Sequence, residues 1–442
     1  MTDLDLSAPL LVGFGVVGRA VSRALLQRGH TPVVVEDRPN DAGRAAAADL
    51  GIELVEAPTP EEWAALAERA SVLLPSPGVP DHHPCFDAAT RAGLAVRSEF
   101  DLAAAWDGRP LVGITGTNGK TTVTMMVTDA LIRSGRVAAA VGNTEVPLVE
   151  AIDDADIEIF VVEASSFRLG HSGRFAPSVA TWLNFAPDHL DAHASLDHYL
   201  AAKAALWRDL PPGAVAIANA EDETVMANAP AGAVRFAVGD PAAEWTVNDG
   251  RLVGPDGPLV AVTELDRRQP HDVANALAAA ATAMAAGATT EGVIEAITGF
   301  AGLPHRLERL GEWSGVAWYN DSKATVPQAT EAAVAGFESV VLIAGGRNKG
   351  LSLDGLASTV PPVRNVVAIG DAADEVASVF GGLVAVSTAD SMIEAVRQAE
   401  AAARPGDVVL LSPGCTSFDW YPNYVERGLD FRRLVESEVA GS

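Results

Sequence analysis

The sequence predicts an α/β protein of three domains, and three observations predict it. Short apolar runs alternate with amphipathic or alanine-rich stretches along most of the chain. Two of those runs end in glycine turns that open a helix, Gly13-Phe-Gly-Val-Val-Gly18 and Gly116-Thr-Asn-Gly-Lys-Thr-Thr122. In the last third, each apolar run spills into a loop of small, polar or cationic residues, the habit of strands whose carboxyl ends meet a ligand. A chain of 442 residues is too long for one ordinary domain. The boundaries fall at 1–108, 109–302 and 303–442.

Pro9–Val12 reads as a buried strand that enters the first glycine turn, with a helix to about Arg28. Val33–Val35 is the next strand and ends at Glu36-Asp37-Arg38. A βαβ unit with GxGxxG and an acid about 20 positions on is the dinucleotide fingerprint, which makes this domain Rossmann-like. By itself the turn fits any ligand whose pyrophosphate rests on a helix N-terminus, and an NAD-dependent oxidoreductase is one such reading. Ile52–Val55, Val72–Leu74 and Leu94–Val96 continue the alternation. The loop Pro75-Ser-Pro-Gly-Val-Pro80 is either a ligand loop or a rigid turn, and Trp106–Pro110 is a linker.

Leu111–Ile114 is a strand running into the second glycine loop, and a helix follows through Ile132. Strand, glycine loop, Lys-Thr, helix is the layout of a phosphate cradle. Backbone N–H groups converge on phosphate oxygens and the helix N-terminus adds positive potential. Lys120 would reach the outer phosphates and the Thr121 hydroxyl could ligate Mg²⁺. The position five before Gly119 is Ile114, so the loop is a shorter relative of GxxxxGK[ST]. The domain is P-loop ATPase-like. Val137–Val141 is a strand, and Ile157–Val162 is another that ends in Glu163-Ala-Ser-Ser-Phe167. A carboxylate at that tip, beside a phosphate loop, suits Mg²⁺. Val179–Leu183 leads to Asp188, His189, Asp191 and His193, either a second metal position or hydrogen-bonded loop residues. Ser195 caps a helix carrying Lys203. Residues 214–263 read as strands and turns, Ala274–Ala288 as a helix opened by His271–Ala276, and about Glu291–Ile297 as another.

In the third domain Leu307–Leu310 and Val316–Tyr319 form a hairpin that ends in Asn320-Asp-Ser-Lys-Ala-Thr325. A helix starts at Pro327, which its first turn tolerates. Strands at Val340–Ala344, Val366–Ile369, Leu383–Val386 and Val408–Leu411 follow. The first of these ends in Gly345–Gly350 and the last in Ser412–Asp419. This is again Rossmann-like α/β. Three such domains with ligand loops imply more than one substrate.

Composition narrows the classes. A formal charge of −27 and a pI of about 4.6 argue against nucleic acid and anionic membranes as main partners. The two cysteines, Cys85 and Cys415, support neither a disulfide framework nor a thiolate zinc site. The acidic start lacks a secretory apolar core, and no stretch reaches a bilayer span, so a cytoplasmic protein without stable membrane insertion is expected.

Together these motifs resemble the Mur ligase family over nearly the whole chain. Gly116–Thr122 and Glu163-x-Ser-Ser-Phe167 are shared with the related folylpolyglutamate synthases. Asn320–Thr325, Gly302-Leu-Pro-His-Arg306, Ser412–Asp419 and the N-terminal GxGxxG domain look more like the D-glutamate-adding branch. The resemblance implies a monomeric ATP- and Mg²⁺-dependent amide ligase of peptidoglycan precursor synthesis. It would join D-glutamate to UDP-N-acetylmuramoyl-L-alanine through an acyl phosphate. Gly116, Thr117, Asn118, Gly119, Lys120, Thr121, Thr122, Asn275, Arg306 and Asp321 match ATP-binding positions. Thr121 and Glu163 match ligands of one Mg²⁺, and His189 of a second; Lys203 matches a lysine that becomes a carbamate and serves a metal. Lys120, His189 and Lys203 are thus the catalytic candidates. Val16, Val17, Arg38, Ser76 and Asn143 match the UDP-sugar site, and Thr325, Lys349, Ser417, Phe418 and Tyr424 the D-glutamate site. The chain departs from the pattern at Asp37, Thr144-Glu145, Asp272 and Val326. Alternatives are another Mur-type or folylpolyglutamate-type ligase, a non-catalytic nucleotide-binding regulator, and the oxidoreductase.

Overall fold

Central strands of this chain are covered on both faces, which is why they read as unbroken apolar runs rather than as alternations. In the strand Ile159–Glu163, Ile159 and Val161 enter one core, while Phe160 and Val162 enter the other. Each such side chain contributes about 1.5–3 kcal/mol by leaving water. The computed structural model describes residues 4–144, 146–189, 192–348 and 350–440. They divide into two compact units, Met1–Phe300 and Ala301–Ser442.

The first unit holds three sheets. Strands β1 (Pro9–Val12), β2 (Val33–Glu36), β3 (Glu53–Glu56), β4 (Val72–Pro75) and β5 (Ala95–Val96) form a parallel sheet in the order β3-β2-β1-β4-β5. Strands β6 (Leu111–Thr115), β7 (Ala138–Gly142), β8 (Ile159–Glu163), β9 (Val179–Trp182), β10 (Val215–Asn219) and β11 (Val234–Phe236) form a second parallel sheet, β11-β10-β9-β6-β8-β7. In both sheets the glycine turn follows the strand at which chain order reverses, the place where open α/β sheets hold ligands. A small antiparallel sheet of β12 (Thr246–Asn248), β13 (Arg251–Gly254) and β14 (Gly257–Ala261) completes the unit.

The helix Lys120–Arg133 lays Val123, Met126, Val127, Ala130 and Leu131 on the second sheet's core. Their spacing is that of one helix face. Beside it runs Pro270–Ala285, whose Ala278–Ala281 and Ala283 are almost fully buried. Thr181 and Thr282 share a hydrogen bond at 2.7 Å inside this core.

The second unit is one sheet. β15 (Glu308–Trp313) pairs antiparallel with β16 (Val316–Asn320), and β17 (Val340–Gly345), β18 (Val363–Ile369), β19 (Ala385–Ala389) and β20 (Val408–Leu411) add in parallel. The order is β15-β16-β20-β17-β18-β19. The hairpin turn Ser314-Gly315 has φ of 52° and 75°, both positive as the favoured two-residue turn requires.

The structure moves several expected boundaries. β8 begins two residues late, because Glu158 instead pairs with Arg136 and takes the Val137 N–H. β18 begins early, at Val363; Arg364 and Asn365 break its apolar run, Arg364 turning to Asp407. The strand expected at Leu383 starts at Ala385, and Leu383 is exposed. The alanine helix runs Pro270–Ala285 rather than Ala274–Ala288, started by Pro270 and a Gln269–Asp272 capping box. Residues 214–263 also hold a helix, Glu223–Asn228. Among the described residues no helix is long and apolar enough to cross a membrane. Cys85 and Cys415 are free, buried thiols.

Candidate active site

β6 delivers the glycine loop, and Asn184 at the end of β9's extension clamps it. The Asn184 amide oxygen accepts the N–H of Thr117 at 3.0 Å and of Asn118 at 2.9 Å, and its NH₂ donates to Asn118 O at 3.1 Å. Gly119 caps the helix with φ of 85°. A Cβ there would lie 2.5 Å from the Asn275 amide oxygen, so the loop and the alanine helix meet at this residue. Gly119→Ala is expected to destabilise the chain by about 1 kcal/mol or more. Urea denaturation checks it; an unchanged midpoint would mean that the turn tolerates a side chain.

Two lysines converge on one carbonyl. Lys120 Nζ donates to Gly116 O at 2.9 Å and Thr117 O at 2.8 Å, while Lys203 Nζ donates to Gly116 O at 2.6 Å. Lys203 comes from the helix Leu196–Arg208, capped by Ser195 as expected. Its amine is buried over the Tyr199 ring, 4.6 Å from the centroid. Burial, reinforced by the Lys120 charge and only partly offset by Asp188, lowers the Lys203 pKa to about 6. A buried lysine in that state is neutral at neutral pH and so is a nucleophile.

Glu163 is the buried last residue of β8. Its Oε1 accepts the Asn143 NH₂ at 2.9 Å, whereas Oε2 is buried with no hydrogen bond among the described residues. Leaving a buried carboxylate oxygen unsatisfied costs about 1–3 kcal/mol or more, so the donor fits a cation such as Mg²⁺. Behind it stands a relay. Asn143 Oδ1 accepts from Arg168 at 3.1 Å, and Arg168 pairs at 3.1 Å with Glu99, which also takes the Val149 N–H. Both members of the ion pair are nearly fully buried. Exchanging both, Glu99→Met with Arg168→Met, avoids a lone buried charge. It is expected to raise the Mg²⁺ concentration for half-maximal activity about tenfold, as lost outer support does. A magnesium titration with no shift would leave the relay a packing device only.

His189 takes a left-handed backbone, φ 54°, at about 1–2 kcal/mol for a residue with a Cβ. Its ring packs edge-on to Phe167, 5.2 Å between centroids. Thr121 is half-buried in the first helical turn.

On the first sheet, Ser76 donates to Gly13 O at 2.8 Å, bringing the two ligand-side loops together. Val16 and Val17 open the helix beside them, with Val16 60% exposed. Glu36 does not present a free carboxylate to a ribose: its oxygens accept the N–H groups of Phe14 at 2.8 Å and Arg38 at 3.1 Å. Asp37 bonds His83 at 2.7 Å, so His83 rather than Arg38 partners this acid. Arg38 is exposed. Asn143, expected with this group, donates its NH₂ to Glu163 Oε1. Asp272 is explained locally by its Arg267 ion pair at 3.0 Å and its cap on Gln269. Thr144 bonds Ala140 O, and Val326 precedes the helix Pro327–Val334 without a side-chain cap.

In the second unit, Asp321 follows β16 and receives Ser412 Oγ at 2.8 Å and Leu307 N–H at 3.1 Å. Burial, opposed by these bonds and by Arg306, raises its pKa to about 6. Arg306 itself is exposed. Thr325 is half-buried, Ser417 buried and Phe418 58% exposed. Tyr424 heads the helix Tyr424–Leu434 and its carbonyl takes the Ser322 hydroxyl at 2.8 Å. Arg427 ties the loops that follow β16 and β20, donating to Ser322 O at 2.8 Å and Cys415 O at 3.1 Å. Lys349, Asp191 and Glu145 lie outside the described residues.

Sequence reasoning did not single out Asn184, Tyr199, Glu99, Arg168 or Arg427 as functional. Tyr199 had a signal, standing four residues before Lys203 on one helix face. Arg168 and Glu99 had none, being far apart in sequence and each plausible on a surface.

A phosphate loop with a buried acid at the neighbouring strand tip and a buried neutral lysine, in one of three wholly or largely parallel α/β sheets, fits a nucleotide-using enzyme. Residues 114–283 match the Mur ligase middle domain and residues 305–415 the Mur ligase glutamate ligase domain. The chain belongs to the Mur ligase family. Curated relatives named UDP-N-acetylmuramoylalanine–D-glutamate ligase include that of Frankia casuarinae, 42% identical over 97% of this chain and 93% of the relative. That of Salinibacter ruber is 39% identical over 97% of each. Among solved structures, UDP-N-acetylmuramate-alanine ligase of Thermotoga maritima has the same fold, with a TM-score of 0.56, 18% identity and coverage of 97% of this chain and 99% of that one.

Proposed function

We infer that this chain joins D-glutamate to the L-alanyl carboxylate of UDP-N-acetylmuramoyl-L-alanine at the expense of ATP, a step of peptidoglycan precursor synthesis carried out in the cytoplasm. It is an ATP-dependent ligase of Mur type. The observation that carries the reading is the phosphate loop with Glu163 at the neighbouring strand tip, in a chain that parallels the D-glutamate ligases nearly end to end. Three domains, 1–108, 109–302 and 303–442, would take the UDP-sugar, ATP and the amino acid in turn.

A carboxylate is a poor acyl donor. Transfer of the ATP γ-phosphoryl group to it gives an acyl phosphate, whose phosphate leaves when an amine attacks. Charge gathers on the phosphoryl oxygens, so fixed cations supply most of the stabilisation. Gly116–Thr122 offer amides and Lys120 its ammonium to the phosphates, with Asn275, Arg306 and Asp321 completing the ATP contacts. Thr121, Glu163, His189 and Lys203 as its carbamate would hold Mg²⁺, which when bound neutralises phosphoryl charge. Neutrality of the Lys203 amine supports the carbamate, since only an unprotonated amine adds to CO₂. Val16, Val17, Arg38, Ser76 and Asn143 are assigned to the UDP-sugar, and Thr325, Lys349, Ser417, Phe418 and Tyr424 to D-glutamate.

The test is phosphate release with ATP, Mg²⁺ and UDP-N-acetylmuramoyl-L-alanine against a panel of amino acids. D-Glutamate is expected to be the substrate used. Equal or better turnover with L-glutamate, L-lysine or a diamino acid would overturn the assignment.

A further inference from the structure

We infer that Asp81, His193 and His198 form a further divalent-metal site, of the kind that takes Zn²⁺, where the loop after β4 meets the helix Leu196–Arg208. Asp81 lies beyond β4, His193 just before the helix and His198 in its first turn. Their ligand atoms all lie within 4.8 Å of one another. Asp81 Oδ2 is 3.2 Å from His193 Nδ1 and 2.8 Å from His198 Nδ1, and it also accepts the Ala194 N–H at 3.0 Å. A backbone bond, Asp81 N–H to Ala192 O at 2.8 Å, holds the two segments together independently of the side chains.

Two imidazole nitrogens and one carboxylate oxygen are a common zinc donor set, completed by water or a further ligand. Bonds of about 2.0–2.2 Å put tetrahedral ligand atoms about 3.3 Å apart. The carboxylate-to-imidazole gaps therefore need to open by about half an ångström or less. Outer support is in place on one ring: His193 Nε2 bonds the Ser166 hydroxyl at 2.9 Å, which orients its Nδ1 toward Asp81. The tautomer with hydrogen on Nε2 donates to Ser166 and frees Nδ1 as a ligand. A cavity of about 170 Å³ adjoins the three residues, with His171 and Arg208 also on its wall. His171 is a third imidazole there, stacked on Phe86 at 5.0 Å. None of these residues belongs to the Thr121, Glu163, His189 and Lys203 set, and the site joins the first sheet's loop to the second sheet's helix.

Calorimetric titration of the untagged full chain with Zn²⁺, in the Glu163→Gln background and with excess Mg²⁺, tests the site. About one equivalent is expected to bind. His198→Ala, at a largely exposed position where folding is not at stake, is expected to weaken it by about tenfold or more, and Ser166→Ala by about tenfold. Zn²⁺ should also raise Tm for the parent and not for His198→Ala. Absence of saturable binding would overturn the proposal. So would binding indifferent to His198→Ala, or binding that the Glu163→Gln exchange abolishes, which would assign the ion to the phosphate loop.

Discussion

Replacing Lys120 by alanine is expected to lower turnover by about 10²–10³-fold, the effect of removing one preorganised donor from a site where charge accumulates. The ammonium is held on the glycine loop itself, against the Gly116 and Thr117 carbonyls. Those bonds also close the loop, and the variant must be read with two measurements. Phosphate release gives the loss in kcat, and thermal melting shows whether the loop has opened. A folded variant retaining half its activity would remove Lys120 from the chemistry.

Lys203→Ala is expected to lose activity by about two orders of magnitude or more, with partial recovery in small carboxylic acids that replace a missing anion. A near-normal variant, or one that no acid restores, would sink the carbamate. The pH dependence follows from burial. Below a pKa of about 6 the amine is an ammonium and cannot take up CO₂. Activation by CO₂ should therefore fall as pH drops through that value. In protein stripped of CO₂, the unfolded chain holds this proton from about 6 up to the ordinary 10.5 while the native chain does not. This residue consequently makes stability rise with pH across that interval, and Lys203→Met should flatten the rise. Denaturation at several pH values measures it.

Much of the phosphate side was legible because its chemistry is local. Gly116–Thr122 states loop, cation and hydroxyl within seven residues, and an apolar strand ending in Glu163 lies next to the strand that feeds that loop. Boundaries slipped where polar residues enter strands, as at Arg364 and Asn365 in β18. The depth of Lys203 was not legible: its helix is amphipathic, and only packing beneath the glycine loop makes it a neutral amine. That Asn143 also bonds Glu163 was not legible, because the pairing of β7 with β8 is not revealed by spacing. His193 stood in the sequence among the possible metal ligands of its own loop, with Asp188, His189 and Asp191, and His198 carried no signal; neither pointed to Asp81, more than a hundred positions earlier, which bonds both.

Glu99 belongs to the helix that closes the first sheet, yet its pairing with Arg168 steers the amide that grips Glu163. Loss of both partners of that pair, with the helix still seated, is thus expected to surface as a thirst for magnesium. Screens that score only solubility or yield would pass such variants, and growth in metal-poor medium would expose them.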